Sequence, residues 1–201
     1  MIRYTGLLLV ALCACEAKKP TVEQPASAVP TAEQPSDAFA DLPPGATKES
    51  FTDVPGLTGV SVGSGAFKTA TGQYLNGQRE GAWVEYYPNG LVMSVTSYVH
   101  GKKEGLCVEM GNNNQLMRRY YYHQGLRQGD YREYNYATVK EERHYVNGKI
   151  DGLAKVYYDN GKIMEEGLYQ NGLRHGVSKW YDQDGKLTIE YEYKNGELTK
   201  K

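Results

Sequence analysis

Large aromatic and aliphatic residues recur along the second two thirds of this chain in short alternating runs, cut by turn residues every eleven to thirteen positions. The last run is the cleanest: Leu187, Ile189, Tyr191 and Tyr193 alternate with Lys186, Thr188, Glu190 and Glu192. Such period-two alternation predicts half-buried β-strands, and turns at this spacing leave no room for a helix between them. The same parity puts Leu116 and Tyr120 beside Tyr122. Trp83 and Tyr86 are three apart, so a regular strand places them on opposite faces, and only a bulge would bring them together.

The runs belong to a repeat. A Tyr-x-Asn-Gly-x-x-x-Gly anchor starts at Tyr74, with Gly77 and Gly81, and returns at Tyr98, with Gly101 and Gly105. It follows at Tyr122 (Gly125, Gly129), Tyr145 (Gly148, Gly152) and Tyr169 (Gly172, Gly176), and Tyr193 with Gly196 closes the series. The Tyr spacings are 24, 24, 23, 24 and 24. Asn-Gly pairs stand at 76, 89, 147, 160, 171 and 195. They signal two-residue type I′ hairpins, whose central residues both need positive φ. Each unit therefore holds two turns and two strands. The fold expected is all-β: an elongated antiparallel meander of about eleven strands, ~50 Å long at ~4.8 Å per strand.

Composition explains how a single sheet could hold itself together. There are 18 Tyr against 3 Phe, and 23 Gly. Tyr can pack its ring on neighbouring rings while its hydroxyl stays bonded or hydrated, which suits a sheet with only one layer. Charge is nearly balanced, 23 basic against 24 acidic residues, which argues against a nucleic-acid partner.

The first third is different. Residues 1–14 carry Arg3 and a short apolar run, Gly6 to Leu12, too short to span a bilayer, and read as an export signal. Leu12-Cys13-Ala14-Cys15 resembles the bacterial lipobox, which implies cleavage before Cys15 and its lipidation. Glu16 at the next position favours the outer membrane over the inner. Residues 15–66 read as the lipidated Cys followed by a disordered Pro/Gly-rich linker, with Pro20, Pro25, Pro30 and Pro35 every five residues. The repeat domain is placed at 67–201. With Cys13 removed and Cys15 lipidated, Cys107 is the remaining cysteine and reads as a small buried hydrophobe. Gly59-Val60-Ser61-Val62-Gly63 matches the nucleophile-elbow pattern, but nothing downstream alternates helix and strand, so it reads as a lead-in.

The anchor followed by aromatic residues and a second Asn-Gly-Lys, best seen at Asn147-Gly148-Lys149 and Asn160-Gly161-Lys162, resembles the MORN-repeat variant of bacterial proteins often labelled YwqK-type antitoxins. The resemblance covers about residues 67–198. It implies an elongated β-hairpin array used for binding, and the antitoxin label implies neutralisation of a toxin or effector protein.

Departures from the repeat mark where specificity would lie. Unit two replaces the second turn with Asn112-Asn113-Asn114-Gln115, and unit three loses a residue at Tyr136-Ala137-Thr138. Between them lies a stretch rich in Arg and Tyr, types enriched at protein interfaces. Arg119, Tyr121 and His123 share the face away from Tyr122 and are the candidate partner-binding residues. The four histidines occupy different repeat phases and do not converge as metal ligands. Glu141/Glu142 and Glu165/Glu166 are adjacent, so they point to opposite faces and read as solvated charge. No catalytic residue, metal or cofactor is expected. The leading reading is a lipid-anchored protein of the bacterial envelope, held to the membrane by its acyl anchor, whose array binds another protein. The alternatives are a structural scaffold or a glycan- or peptidoglycan-binding module.

Overall fold

The computed structural model describes residues 38–65 and 67–200, and these form one open antiparallel sheet. Residues 1–14, read from the sequence as an export signal, and Cys15 lie outside the described residues. The strands are β1 (Thr47–Ser50), β2 (Leu57–Ser64), β3 (Phe67–Leu75), β4 (Gln78–Tyr86), β5 (Val92–Val99) and β6 (Lys102–Met110). Then come β7 (Leu116–His123), β8 (Leu126–Arg127), β9 (Gly129–Asn135), β10 (Thr138–Val146) and β11 (Lys149–Ile150). The last five are β12 (Gly152–Tyr157), β13 (Ile163–Gln170), β14 (Leu173–Tyr181), β15 (Leu187–Lys194) and β16 (Glu197–Lys200). Each strand pairs with the next in the chain, except that β8 and β11 are short leading pieces of the strands continued by β9 and β12. The all-β meander is as expected, with more strands than the eleven anticipated.

Two turn types alternate along the sheet. At the six anchors the first central residue and its Gly both have positive φ, from Asn76 (52°) and Gly77 (81°) to Asn195 (51°) and Gly196 (88°). These are the expected type I′ turns, and His100 and Gln124 adopt the same conformation where Asn is missing. Asn89 and Asn160 behave differently. Only Gly90 and Gly161 have positive φ there, in three-residue loops closed by Tyr87 N–H to Leu91 O and Tyr158 N–H to Lys162 O. Two of the six Asn-Gly pairs are therefore not type I′. Asn114 supplies the positive φ (64°) in the unit without Gly, and Tyr136 (55°) in the shortened two-residue turn.

Each three-residue loop is followed by a register shift on the returning strand. Tyr86 pairs with Val92 and Glu85 with Ser94, so Met93 is bulged. Met117, Met164 and Thr188 are skipped in the same way. These bulges correct the parity argument: Leu116 and Leu187 pair with Met110 and Tyr181, across from the Tyr face. Trp83 and Tyr86 stay on opposite faces. Trp83 packs edge-on against Tyr74, while the Tyr86 hydroxyl bonds Thr71, whose cross-strand partner is Val84.

The core is one face of this sheet. Each anchor Tyr from Tyr98 onward faces the second Gly of the preceding unit on one side: Gly81 with Tyr98, Gly105 with Tyr122, Gly129 with Tyr145, Gly152 with Tyr169, Gly176 with Tyr193. On its other side stands a long side chain: Arg79, Lys103, Arg127, Ile150 and Arg174 pair with Tyr74, Tyr98, Tyr122, Tyr145 and Tyr169. The guanidinium of Arg79 covers Trp83 and Tyr98, that of Arg127 covers Tyr120, Tyr131 and Tyr145, and that of Arg174 covers Tyr169, Trp180 and Tyr193. Cation–π contacts of this kind contribute ~0.5–2 kcal/mol each. Cys107 is 1 % exposed in this layer, and burial pushes its thiol pKa up.

The array begins earlier than 67. Thr47–Ser50 and Leu57–Ser64, assigned to the linker, form β1 and β2, and Val60 joins Ala70, Tyr74, Trp83 and Tyr98 in a buried cluster. Phe39 stacks on Tyr74 at 5.1 Å between centroids, and Asp41 accepts from the Tyr74 hydroxyl at 3.0 Å. The first repeat would otherwise leave this aromatic surface bare, and repeat arrays need such capping at their ends.

Candidate functional site

The face opposite the Tyr layer carries the candidate residues. Its central row can be followed strand by strand: Val84, Val95, Val108, Arg119, Arg132, Glu142, Lys155, Glu166, Lys179 and Glu190 are successive cross-strand partners. The first part is apolar. From Arg132 onward the signs alternate, and opposite charges across a ladder support it. Arg132 Nε lies 2.7 Å from Glu142 Oε1, and Tyr157 and Tyr181 donate to Glu142 and Glu166 at 2.7 Å each.

Arg119 stands where the two parts meet. Its cross-strand neighbours are Val108 and Arg132, so one side is apolar and the other carries like charge. Arg132 has taken Glu142, and Arg119 has no ion-pair partner among the described residues. Two residues on, Tyr121 pairs with Leu106; they are 37 % and 43 % exposed. Further along this face Leu153 pairs with Leu168, each 44 % exposed. His123 binds Glu104 through Nδ1 at 2.9 Å, and Glu104 also accepts the Gln124 N–H at 2.7 Å. The Gln124 N–H, with His123 second, lowers the Glu104 pKa.

The structure thus brings Arg119, Tyr121 and His123 to one face, away from Tyr120 and Tyr122. The neighbouring arginines are engaged elsewhere. Arg118 points to the Tyr face, between Glu109 at 2.8 Å and Glu133 at 3.2 Å, and Arg127 lies under the aromatic rings. Leu106 and the row of exposed leucines are parts of this surface that the sequence reading missed. The signal for Leu106 and Leu153 was their place directly after the second Gly of units two and four.

The carboxylate pairs divide as expected, but only half of each is solvent-facing. Glu142 and Glu166 lie in the charged row. Glu141 and Glu165 lie on the Tyr face, ion-paired with Arg143 and Arg174, and Glu165 is 9 % exposed. Burial raises the Glu141 pKa against the pull of Arg143. His100, His123 and His144 approach Glu80, Glu104 and Asp130 in turn, and His175 approaches Asn195. Among the described residues no cluster of His, Cys, Asp or Glu is arranged to hold a metal ion.

Glu80 and Glu104 belong to a position that serves the repeat. The residue before each second Gly accepts the first N–H of the next I′ turn: Glu80 from His100, Glu104 from Gln124, Gln128 from Asn147 and Asp151 from Asn171. The turn Gly then donates to the carbonyl one residue earlier, as Gly101 does to Arg79 and Gly125 to Lys103. The repeat is therefore closed by hydrogen bonds along one rim.

No curated protein matches the chain. Residues 79–100, 150–171 and 174–195 match the MORN repeat variant. Each matched stretch spans a three-residue loop with its Gly in place, and the units left unmatched are the two with Asn114 and with the shortened Tyr136 turn.

Proposed function

We propose that this protein is a binding protein without a reaction of its own, which captures another protein on the face bearing Arg119, Tyr121 and His123. The observation that carries the reading is the Arg119 guanidinium, without an ion-pair partner among the described residues and set between Arg132 and an apolar surface that includes Val108, Leu106 and Tyr121. A cation without a carboxylate, beside a half-exposed aromatic ring, is the composition of an interface centre rather than of a solvated rim. Repeats similar to the MORN variant support a binding or scaffolding role. The finer reading is neutralisation of a toxin or effector that reaches the bacterial envelope.

The proposal places the protein at the envelope, anchored through a lipidated Cys15 with the Pro-rich segment as spacer, at the outer membrane in preference to the inner. The tests are separate. Crosslinking and pull-down of the mature protein should yield one dominant partner, and Arg119→Ala with Tyr121→Ala should abolish capture while leaving the β-sheet circular dichroism unchanged. Unaltered capture removes this face from the proposal. Several envelope proteins in place of one would support a scaffold, and retention on peptidoglycan with no protein captured would support a glycan-binding module in place of a protein binder. For the anchor, a Cys15→Ser protein should lose palmitate labelling and membrane partition, and retention of both would defeat it.

A further inference from the structure

We propose a second binding site, on the Tyr face, for a neutral, hydroxyl-rich ligand: a glycan. A cleft of about 750 Å³ opens on that face between the Trp83 and Tyr120 clusters. Ser94 and Thr96 line it, small side chains on the strand between the two aromatic clusters. The bulged residues Met93 and Met117 line it, because a bulge turns one extra side chain out of the regular alternation.

Both departures from the repeat meet at its rim. The loop of unit two supplies Asn113 and Gln115, and the shortened turn of unit three supplies Asn135 and Tyr136. Tyr136 is 70 % exposed and has a φ of 55°, a conformation that a bulky side chain rarely adopts. The two-residue turn that imposes this conformation sets the Tyr136 ring at the open rim. The polar groups are held in place: Asn113 donates to Gln115 at 2.8 Å, Asn135 to Asp159 at 3.0 Å, and Ser94 to Glu85 at 2.7 Å.

The charges select the ligand class. Glu85 and Glu109 balance Lys103 and Arg118 among the lining residues, and Arg118 is already held by Glu109 and Glu133. A phosphate or carboxylate therefore meets no surplus cation. A sugar ring has an apolar C–H face for an aromatic ring and a rim of hydroxyls that both donate and accept. Amides and carboxylates beside the exposed ring of Tyr136 match that pattern. This site lies across the sheet from Arg119 and Tyr121 and does not depend on the protein-binding reading.

The test titrates chitotriose, cellotriose and maltotriose into the full chain, followed by calorimetry and by tyrosine fluorescence. At least one should bind with one-to-one stoichiometry. Tyr136→Ala and Asn113→Ala should each weaken binding by about tenfold or more, as loss of a central aromatic or polar contact does. Tyr136→Phe should retain it, and Arg119→Ala should leave it unchanged. Absence of binding by all three sugars, indifference to Tyr136→Ala, or tighter binding of inorganic phosphate than of any sugar would each overturn the proposal.

Discussion

Arg127 and Tyr120 are stacked: the guanidinium carbon lies 4.9 Å from the Tyr120 ring centroid. The same guanidinium reaches the rings of Tyr131 at 5.6 Å and Tyr145 at 5.5 Å, so one cation joins three strands. In a sheet with one layer, these long side chains do the covering that a second layer does elsewhere. Arg127→Ala should lower stability by ~2 kcal/mol, with Arg127→Lys losing less because it keeps the stem and the charge. Urea denaturation of the two variants measures this, and equal losses would show that only the planar guanidinium counts.

Two glycines should fail for different reasons. A Cβ on Gly72 would lie 2.0 Å from Trp83 Cε3, so Gly72→Ala is a steric change. It should cost ~1–3 kcal/mol, and Trp83→Leu should relieve part of it. Gly105 has open space for a Cβ but a φ of 81°. Gly105→Ala should cost ~1–2 kcal/mol through the backbone alone, and no neighbouring substitution should rescue it. Thermal unfolding of the single and double variants separates the two causes.

Gln124 occupies the positive-φ position of an I′ turn, with φ of 49°. The turn is held by its backbone N–H to Glu104 and by the Gly125 N–H to the Lys103 carbonyl, which a side-chain change leaves in place. Gln124→Gly should therefore stabilise the protein by ~0.5–1 kcal/mol, the left-handed strain removed less the added chain entropy. A rise in the denaturation midpoint at unchanged slope is the expected reading.

Tyr181, bonded to Glu166, and Tyr157, pushed up by burial and then by Glu142, both have hydroxyl pKa values of about 12. In the unfolded chain a tyrosine ionises near ~10. Between these values the unfolded state loses protons that the folded state keeps, so this stabilisation is complete below pH ~10 and falls away as pH rises toward 12. Tyr181→Phe and Tyr157→Phe should flatten the alkaline fall in stability.

At low pH the sign reverses for Glu109 and Glu133. Burial opposes their ionisation, but hydrogen bonds from Tyr120, Tyr131 and Arg118 leave both pKa values lowered. Their stabilisation is present above ~4.3 and is lost as pH falls through their folded values. Glu141, whose pKa is raised, acts in the opposite sense. Glu109→Gln should make the acid limb of the stability profile shallower.

Much of the fold was legible because positive φ restricts which residues can occupy a turn. The Gly spacing therefore located the hairpins even where His100 and Gln124 replaced Asn. Strand alternation was equally legible, and it placed Arg119, Tyr121 and His123 on one face. The bulges at Met93, Met117, Met164 and Thr188 were not legible. Each arises where a three-residue loop must match the twist of the strands, and Met in a strand carries no mark of it. The column of Arg79, Lys103, Arg127 and Arg174 was visible at fixed offsets from the anchors, but its role was not, since a basic residue in an alternating run reads as solvent-facing.

The sequence alone determined the period, the turns and the strand order, because these depend on local backbone conformation and on neighbours in the chain. Tertiary structure decided which side chains share a surface. Only cross-strand register laid the arginines over the rings, left Arg119 between Val108 and Arg132, and drew residues 47–64 into the sheet. It also brought Asn113 and Tyr136, 23 positions apart in the chain, to the rim of one cleft. Such contacts are set by where strands lie in space, and sequence proximity does not encode that position.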